Sequence, residues 1–376
     1  MNIFFPTSRN YTNDTINNGK VIIIMRTKDR PVLLARALMS VLSQTYNNWH
    51  LSLVNDGGDP APVDHLVAIH QANFNGRITV KHHPQNLGME AASNAALTNV
   101  NDGDYFIVHD DDDTWRPTFL EETVAFLEDH ENSRFAAVAA RCEIINERIE
   151  NDRVIEIEIA PWGYWKERID FVDMLSTNSI PPICLLIRKE IISQIGQYNE
   201  KLPVLGDWDY SLRILMIGDI GTINEPLAYY HHRTTNEHSD IYGNSVHSSI
   251  NKHLDYQVLY RNSMLRILLD KHPEFMGQLH VFLTRMMQIE HKLNHIEHKS
   301  FQAEEKLIHQ EHKLNFLEHR LNQIHYDLNQ AAFSDRQLAE ELRLHLRQMR
   351  KLLKPFRWGW LLLRPFWRFA KKLAGK

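Results

Sequence analysis

The chain is poor in cysteine. Its 376 residues include two, Cys142 and Cys184, both in apolar surroundings. They form no C-x-x-C pair and no zinc spacing, which excludes a disulfide scaffold or a zinc module. Reduced core thiols in a reducing compartment are expected instead. Long apolar runs are also missing. No stretch reaches the roughly 18 apolar residues of a membrane span. The opening residues, MNIFFPTSRNYTNDTINNGK, lack a basic start followed by a long apolar stretch. They are not read as a secretory leader. Nor is there a strong charge of one sign. The net charge of −5 gives no global nucleic-acid signal, and no nucleic-acid partner is expected. One local exception stands out, because Arg350 to Lys376 contains basic residues and no acids.

What is present begins with alternation. VIIIM (Val21–Met25) is a continuous β-branched run, as in a strand buried on both faces. PVLLARALMSVLSQ follows with apolar residues at helical spacing and Pro31 suited to a first turn. HLSLVNDGG then reads as strand and turn, which completes a parallel βαβ unit. The pattern continues: helix VDHLVAIHQAN, strand RITVKHH, helix MEAASNAALTNV, strand DYFIVHD, helix PTFLEETVAFLEDH started by Pro117. Ligands of open α/β sheets sit beyond the carboxyl ends of the strands. Asp56 and Asp110–Asp113 both lie at such ends. Residues 135–250 are less regular, with strands in FAAVAA, RVIEIEI and ICLLIR, a helix around WDYSLRILMIG, and a Tyr/His-rich stretch.

Four adjacent carboxylates in DDDDTWRP repel one another unless something positive neutralises them. A hard divalent cation does so with oxygen ligands and also binds phosphate oxygens. Alone, D-x-D is a weak pattern, and a solvated acidic turn competes with it. Placed after a buried strand, beside a βαβ unit with its own terminal Asp56, it is much more specific.

With these motifs together, VIIIMRTKDRPVLLARALMSVLSQTYNNWHLSLVNDGGD, NLGMEAASNAAL and DDDDTWRP resemble the family 2 glycosyltransferases over roughly residues 20–235. The resemblance implies a GT-A fold, a Rossmann-like α/β domain with a mostly parallel sheet. It implies inverting transfer from a nucleotide-diphosphate sugar, with a UDP-sugar as the family's common choice. Asp56 matches the family's base-holding acid, and Thr27 and Asp29 its first nucleotide loop. Asp110 and Asp112 match the ligands of Mn²⁺ or Mg²⁺, with Asp110 also against the nucleotide sugar and Asp111 near the ribose. Asn86, Gly88, Ala92 and Asn94 match a helix start whose arginine is replaced here by Ser93. Asn55 stands where many members have an acid. LGDWDYSLRI matches the segment of the catalytic base, placing Asp207 in that role. The competing reading of Asp207 is a helix N-cap. His231 and His232 are candidates for a metal contact, with His238 a remoter one. Asn178, Pro181–Pro182 and Trp208 border the acceptor side.

Beyond residue 250 the pattern changes. Residues 251–285 read as a helical connector. From Ile289 to Gln323 the heptads IEHKLNH, IEHKSFQ, AEEKLIH, QEHKLNF and LEHRLNQ run consecutively, a coiled-coil pattern expected over 286–352. With Leu293 as position a, Glu290, Glu297, Glu304, Glu311 and Glu318 fall at e, and Lys292, Lys299, Lys306, Lys313 and Arg320 at g. A parallel pairing brings g to e and an antiparallel one brings like to like. A parallel homo-oligomer, dimer or trimer, is therefore expected. Ser300, Gln310, Asp335 and His345 interrupt the seam. The heptad histidines fall at outer positions and read as a solvated face. Residues 353–376, KPFRWGWLLLRPFWRFAKKLAGK with its preceding leucine, alternate aromatic and basic residues, which suits an anionic bilayer surface.

The organisation expected is thus a loose tail (1–19), a catalytic domain (20–250), the connector, the coil and the basic tail. The function expected is sugar transfer to a surface-glycan acceptor, lipid-linked because of the tail. The cellular place expected is cytoplasmic, peripheral on the inner face of the membrane. One competing reading is a weakened GT-A scaffold organising a glycan-assembly complex through its coil. Another, a metal-dependent phosphate hydrolase, lacks a second cluster of His and Asp ligands.

Overall fold

The computed structural model describes Tyr11 and residues 19–97, 102–150, 153–233 and 250–331, with a few further positions between 344 and 351. The tail expected at 1–19, His238, and the basic segment 353–376 lie almost wholly outside the described residues. The chain divides into two units, Met1–Leu265 and Arg266–Lys376.

In chain order the first unit contains β1 (Val21–Thr27), α1 (Pro31–Leu42), β2 (Trp49–Asp56), α2 (Pro60–Ile69), α3 (Gln71–Phe74), β3 (Ile78–His83), α4 (Met89–Ala96) and β4 (Tyr105–Val108). There follow β5 (Thr114–Trp115), α5 (Phe119–Glu128), β6 (Phe135–Glu150), β7 (Arg153–Pro161), α6 (Phe171–Ser176), β8 (Leu185–Arg188), α7 (Ile192–Ile195), α8 (Gly206–Leu215) and β9 (Asp219–Arg233). Helix α9 (Ile250–Lys271) crosses the boundary between units, and α10 (Phe275–Ala331) lies in the second.

The strands join into one sheet in the order β3-β2-β1-β4-β8-β6-β9-β5, with β7 on β6. The first four are parallel, with Ile23 opposite both Leu51 and Ile107. That follows from the sequence. Val21–Met25 is apolar at every position because both faces are covered, and every one of these residues is fully buried. Parallel alignment sends the carboxyl ends of β1, β2 and β4 to one edge. The loops after them, at residues 28–30, 57–59 and 109–113, therefore meet there.

The other half is mixed. β8 runs antiparallel to β4 and β6, while β6 and β9 pair in parallel. The stretch 135–250, irregular by sequence, thus holds two of the longest strands, β6 with 16 residues and β9 with 15. The described part of the Tyr/His-rich run, residues 227–233, is the end of β9. Its alternating large polar residues hid a strand whose register places Asn146 beside His232 and Glu147 beside Arg233.

The helix expected over VDHLVAIHQAN is split at His70 into α2 and α3. The helical connector expected over 251–285 contains a break. Pro273 separates α9 from α10, as proline removes a helix donor and clashes with the preceding turn. Helix α10 then runs unbroken for 57 residues. Among the described residues no helix is long and apolar enough to cross a membrane.

Candidate active site

The acidic loop joins β4 to β5, and arginines meet it. Arg26, at the end of β1, donates to Asp110 from Nε at 3.0 Å and Nη2 at 2.9 Å. Arg30 lies 2.7 Å from Asp111 and 3.4 Å from Asp112. Arg233, from the end of β9, pairs with Asp112 and, at 2.6 Å, with Glu147 of β6. Arg36 of α1 donates to both oxygens of Glu147, Oε2 at 2.5 Å and Oε1 at 3.1 Å, and to the Asp112 carbonyl at 2.6 Å. Thr27 donates to Asp111 at 2.6 Å. So Arg26, Arg30, Arg36 and Arg233 stand against Asp110, Asp111, Asp112 and Glu147, and the rim is close to neutral.

Burial and pairing set the protonation of these acids. For Asp112, burial works upward, but Arg30 and Arg233 outweigh it and hold the carboxyl below its usual range. Burial also opposes Glu147, yet His231 and Arg36 bring it down to about 2. Asp111 is pushed up to about 6, mainly by burial. Asp113 is pushed well above the ordinary carboxylate range by burial and by Asp112 and Asp110. Its Oδ1 accepts the His231 amide at 2.8 Å, while its buried Oδ2 has no hydrogen-bond partner among the described residues.

The second cluster stands at the end of β2. Asp56 accepts from His83 Nδ1 at 2.8 Å and from the amides of Leu87 and Gly88 at 3.0 and 2.9 Å. Asn86 accepts from the same Gly88 amide at 2.9 Å. The β2 turn needs glycine at 57, since φ is +76° and a Cβ there would lie 2.3 Å from the Asn86 amide nitrogen. Asp29, itself at φ 54°, accepts from the Asp59 amide at 2.9 Å. Asn94 is spent structurally, bonded to both backbone groups of Tyr198.

The third group is on α8. Asp207 is in the first turn, and no side-chain bond caps that helix. Its Oδ2 accepts from Asn178 at 2.8 Å. Burial raises the Asp207 carboxyl above its usual range, opposed by the Trp208 amide, Arg26 and Asn178. Arg26 and Asp110 both act on Asp207 through charge, so the acidic loop and α8 share one field. Trp208 is packed inward, with its Nε1 donating to the Met174 carbonyl at 2.6 Å.

Several participants carried no sequence signal. Glu147 and Arg233 meet across a pairing that local pattern does not encode. Arg26 and Arg30 flank Thr27 in a quoted motif and were legible as charges near the site. Ser93, standing where the family has arginine, accepts from Arg26 Nη1 at 3.0 Å, so a guanidinium from β1 reaches this helix after all. Glu90 is buried beside them. A Cβ on Gly206 would lie 2.1 Å from its carboxylate, and burial pushes it up to about 7.

A hard cation fits the donor chemistry of this loop within limits. Among the described residues no three His, Cys, Asp or Glu side chains converge as a preformed cage. The arginine bonds take Oδ1 of Asp110 and Oδ2 of Asp112, leaving the other oxygen of each carboxylate outside those pairs. Mg²⁺-type sites in which one or two carboxylates are completed by phosphate oxygens and water need no more. His231 is placed differently. Its Nε2 meets Thr114 at 2.8 Å and its Nδ1 meets Glu147 at 2.7 Å, so both ring nitrogens are engaged. His232 turns to Asn146 at 3.1 Å.

Residues 22–196 match the model of Glycosyl transferase family 2. An uncharacterised glycosyltransferase of Haemophilus influenzae is 27% identical over 209 residues, 55% of this chain and 66% of that relative. The putative colanic acid biosynthesis glycosyl transferase WcaA of Escherichia coli is 36% identical over 29% of this chain and 38% of its own. The structure of Staphylococcus aureus TarS 1-349 in complex with UDP-GlcNAc aligns with a TM-score of 0.47 and 17% identity, covering 58% of this chain and 60% of that one. Residues 22–196, a little under half of the chain, thus match a family 2 glycosyltransferase domain, on the α/β sheet described above.

Proposed function

We propose that the chain is an inverting, divalent-metal-dependent glycosyltransferase that moves a sugar from a nucleotide-diphosphate sugar, a UDP-sugar first, to a hydroxyl of a surface glycan. The observation that carries this reading is Asp207. It is half-buried, raised in pKa, oriented by Asn178, and within the electrostatic reach of Asp110 and Arg26. A carboxylate raised toward neutrality is a better proton acceptor than an ordinary aspartate.

In the proposed reaction, Asp207 takes the proton of the acceptor hydroxyl as its oxygen attacks the anomeric carbon. The bond from that carbon to the diphosphate oxygen breaks on the opposite face, which inverts the configuration. Asn178 holds Asp207 in place for the attack. Asp110 and Asp112 would hold Mn²⁺ or Mg²⁺, which supplies charge stabilisation to the departing diphosphate. Thr27, Asp29, Asp111 and the Asp56–Asn86–Gly88 turn would line the nucleotide. His231 and His232 are not carried into the metal site, since the first has both nitrogens committed and the second faces Asn146.

Charge balance supports the metal. The rim is already neutralised by its own arginines, so a bare dianionic diphosphate would bury uncompensated charge. A diphosphate arriving with a divalent cation is neutral and avoids that cost.

The acceptor reading draws on the likeness to a relative named for colanic acid biosynthesis. A lipid-linked acceptor, an anionic membrane partner and a place on the inner face of the membrane rest on the sequence of residues 353–376, outside the described residues. A thermal-shift screen of nucleotide sugars with and without Mn²⁺ tests the core claim. Metal-dependent stabilisation by one donor, with nucleotide release lost in Asp112→Ala and Asp207→Asn, supports it. The same arginine pairs, with Ser93 and Asn55, favour a second reading, a non-catalytic scaffold. A screen in which no nucleotide sugar shifts the melting point would favour that reading.

A further inference from the structure

Helix α10 presents a stripe that the chain leaves partly uncovered. Ile289, Leu293, Ile296, Leu317 and Ile324 fall on the a and d positions of the heptads, and are between 43% and 62% exposed. Leu307 and Leu314 on the same stripe are half-buried and Leu321 is buried. An apolar seam of this length in water, on a continuous helix of 57 residues, is the face that a coiled coil covers. We propose that α10 binds α10 of another copy of this chain, parallel and in register.

Charge selects that occupant and that direction. Beside the seam, one flank carries Lys292, Lys299, Lys306 and Lys313, and the other carries Glu297, Glu304, Glu311 and Glu318. In a parallel pair each lysine faces the glutamate five residues further along the second copy, as Lys292 faces Glu297 and Lys306 faces Glu311. In an antiparallel pair lysines face lysines and glutamates face glutamates along the whole seam. A partner of uniform charge would match one flank and repel the other. Ser300 and Gln310 place polar groups in the seam, where they pair with themselves only when the copies are in register. The proposal does not depend on the catalytic reading.

The test uses the full chain. Sedimentation gives its mass, and two single variants, Ile296→Cys and Leu317→Cys, are oxidised separately. The native Cys142 and Cys184 are buried and do not compete. A multiple of the monomer mass at micromolar concentration is expected, with each variant cross-linking to its own copy. Two distant positions can both self-pair only in a parallel, registered assembly. Lys292→Glu combined with Lys306→Glu is expected to weaken association at least tenfold while leaving the seam intact. A monomer at tens of micromolar overturns the proposal, with the seam covered by the chain's own later residues. So does cross-linking at one site only or at neither.

Discussion

Arg233 and Lys306 carry the same charge in the two units and are treated in opposite ways. Arg233 is almost fully buried, its guanidinium shared between Asp112 and Glu147. Lys306 lies exposed on α10, in a row of like charges seven residues apart. The first unit satisfies its charges internally, from strands and loops far apart in sequence. The second displays charge and partly exposed apolar surface in a regular pattern along α10. A buried network is tuned for chemistry at one place, whereas a periodic surface is built to be read by another molecule. This difference predicts where substitutions act.

The largest effect is expected at Asp207. Removing a general base costs roughly 10²–10⁴ in rate, so Asp207→Asn should lower turnover by about three orders of magnitude. Donor-induced thermal stabilisation should stay near that of the wild type, since the amide keeps the shape. Wild-type turnover in that variant would remove Asp207 from the mechanism. Next is the network itself. Glu147→Ala leaves Arg233, Arg36 and His231 without their shared acid. Breaking a buried pair in this way costs about 3–5 kcal/mol, so a melting point at least 6 °C lower is expected at about 2–4 °C per kcal/mol. A drop of a degree or less would mean that the arginines are held by other groups.

Glu90 sharpens the contrast by pH. Its carboxyl titrates at about 7 in the folded chain, against an ordinary 4.5, because burial disfavours its charge and Asp207 and Asp110 add to that. Between these two values the unfolded chain ionises while the folded chain keeps its proton. Stability is therefore lost as pH rises through this window and stays low above it. The full effect is of order 3 kcal/mol. Glu90→Gln should therefore melt above the wild type at pH 8, with the gap closing toward pH 5. An equal gap at both values would show that Glu90 does not hold a proton.

The two units also differ in how far sequence reveals them. Val21–Met25, the βαβ alternation and the D-x-D were local patterns, and the parallel edge they imply is the edge on which the acids gather. The heptads were equally local, and α10 is continuous through all five. What sequence hid depends on long-range pairing. The negative charge of DDDDTWRP pointed to something positive, and the arginines of the same fold meet it. Glu147 and Arg233 lie 86 residues apart and meet through the register of β6 and β9, which no spacing rule encodes. Glu90 sat unremarked in a recognised motif, because nothing in the sequence shows that Gly206 leaves room for its carboxyl.

The smallest effect in the first unit is expected from the second unit's charges. Lys292→Glu with Lys306→Glu changes exposed positions that make no ion pair among the described residues. Surface substitutions of this kind shift stability by about 0.5 kcal/mol or less. The melting transition of the α/β unit and turnover on a soluble acceptor should therefore match the wild type, while the mass by sedimentation falls toward that of one chain. The two readouts separate the units. If turnover falls together with the mass, the α/β unit depends on its neighbour in the assembly, and the contrast between a self-sufficient unit and an incomplete one is lost. If the mass falls alone, chemistry and assembly are written in different parts of this chain.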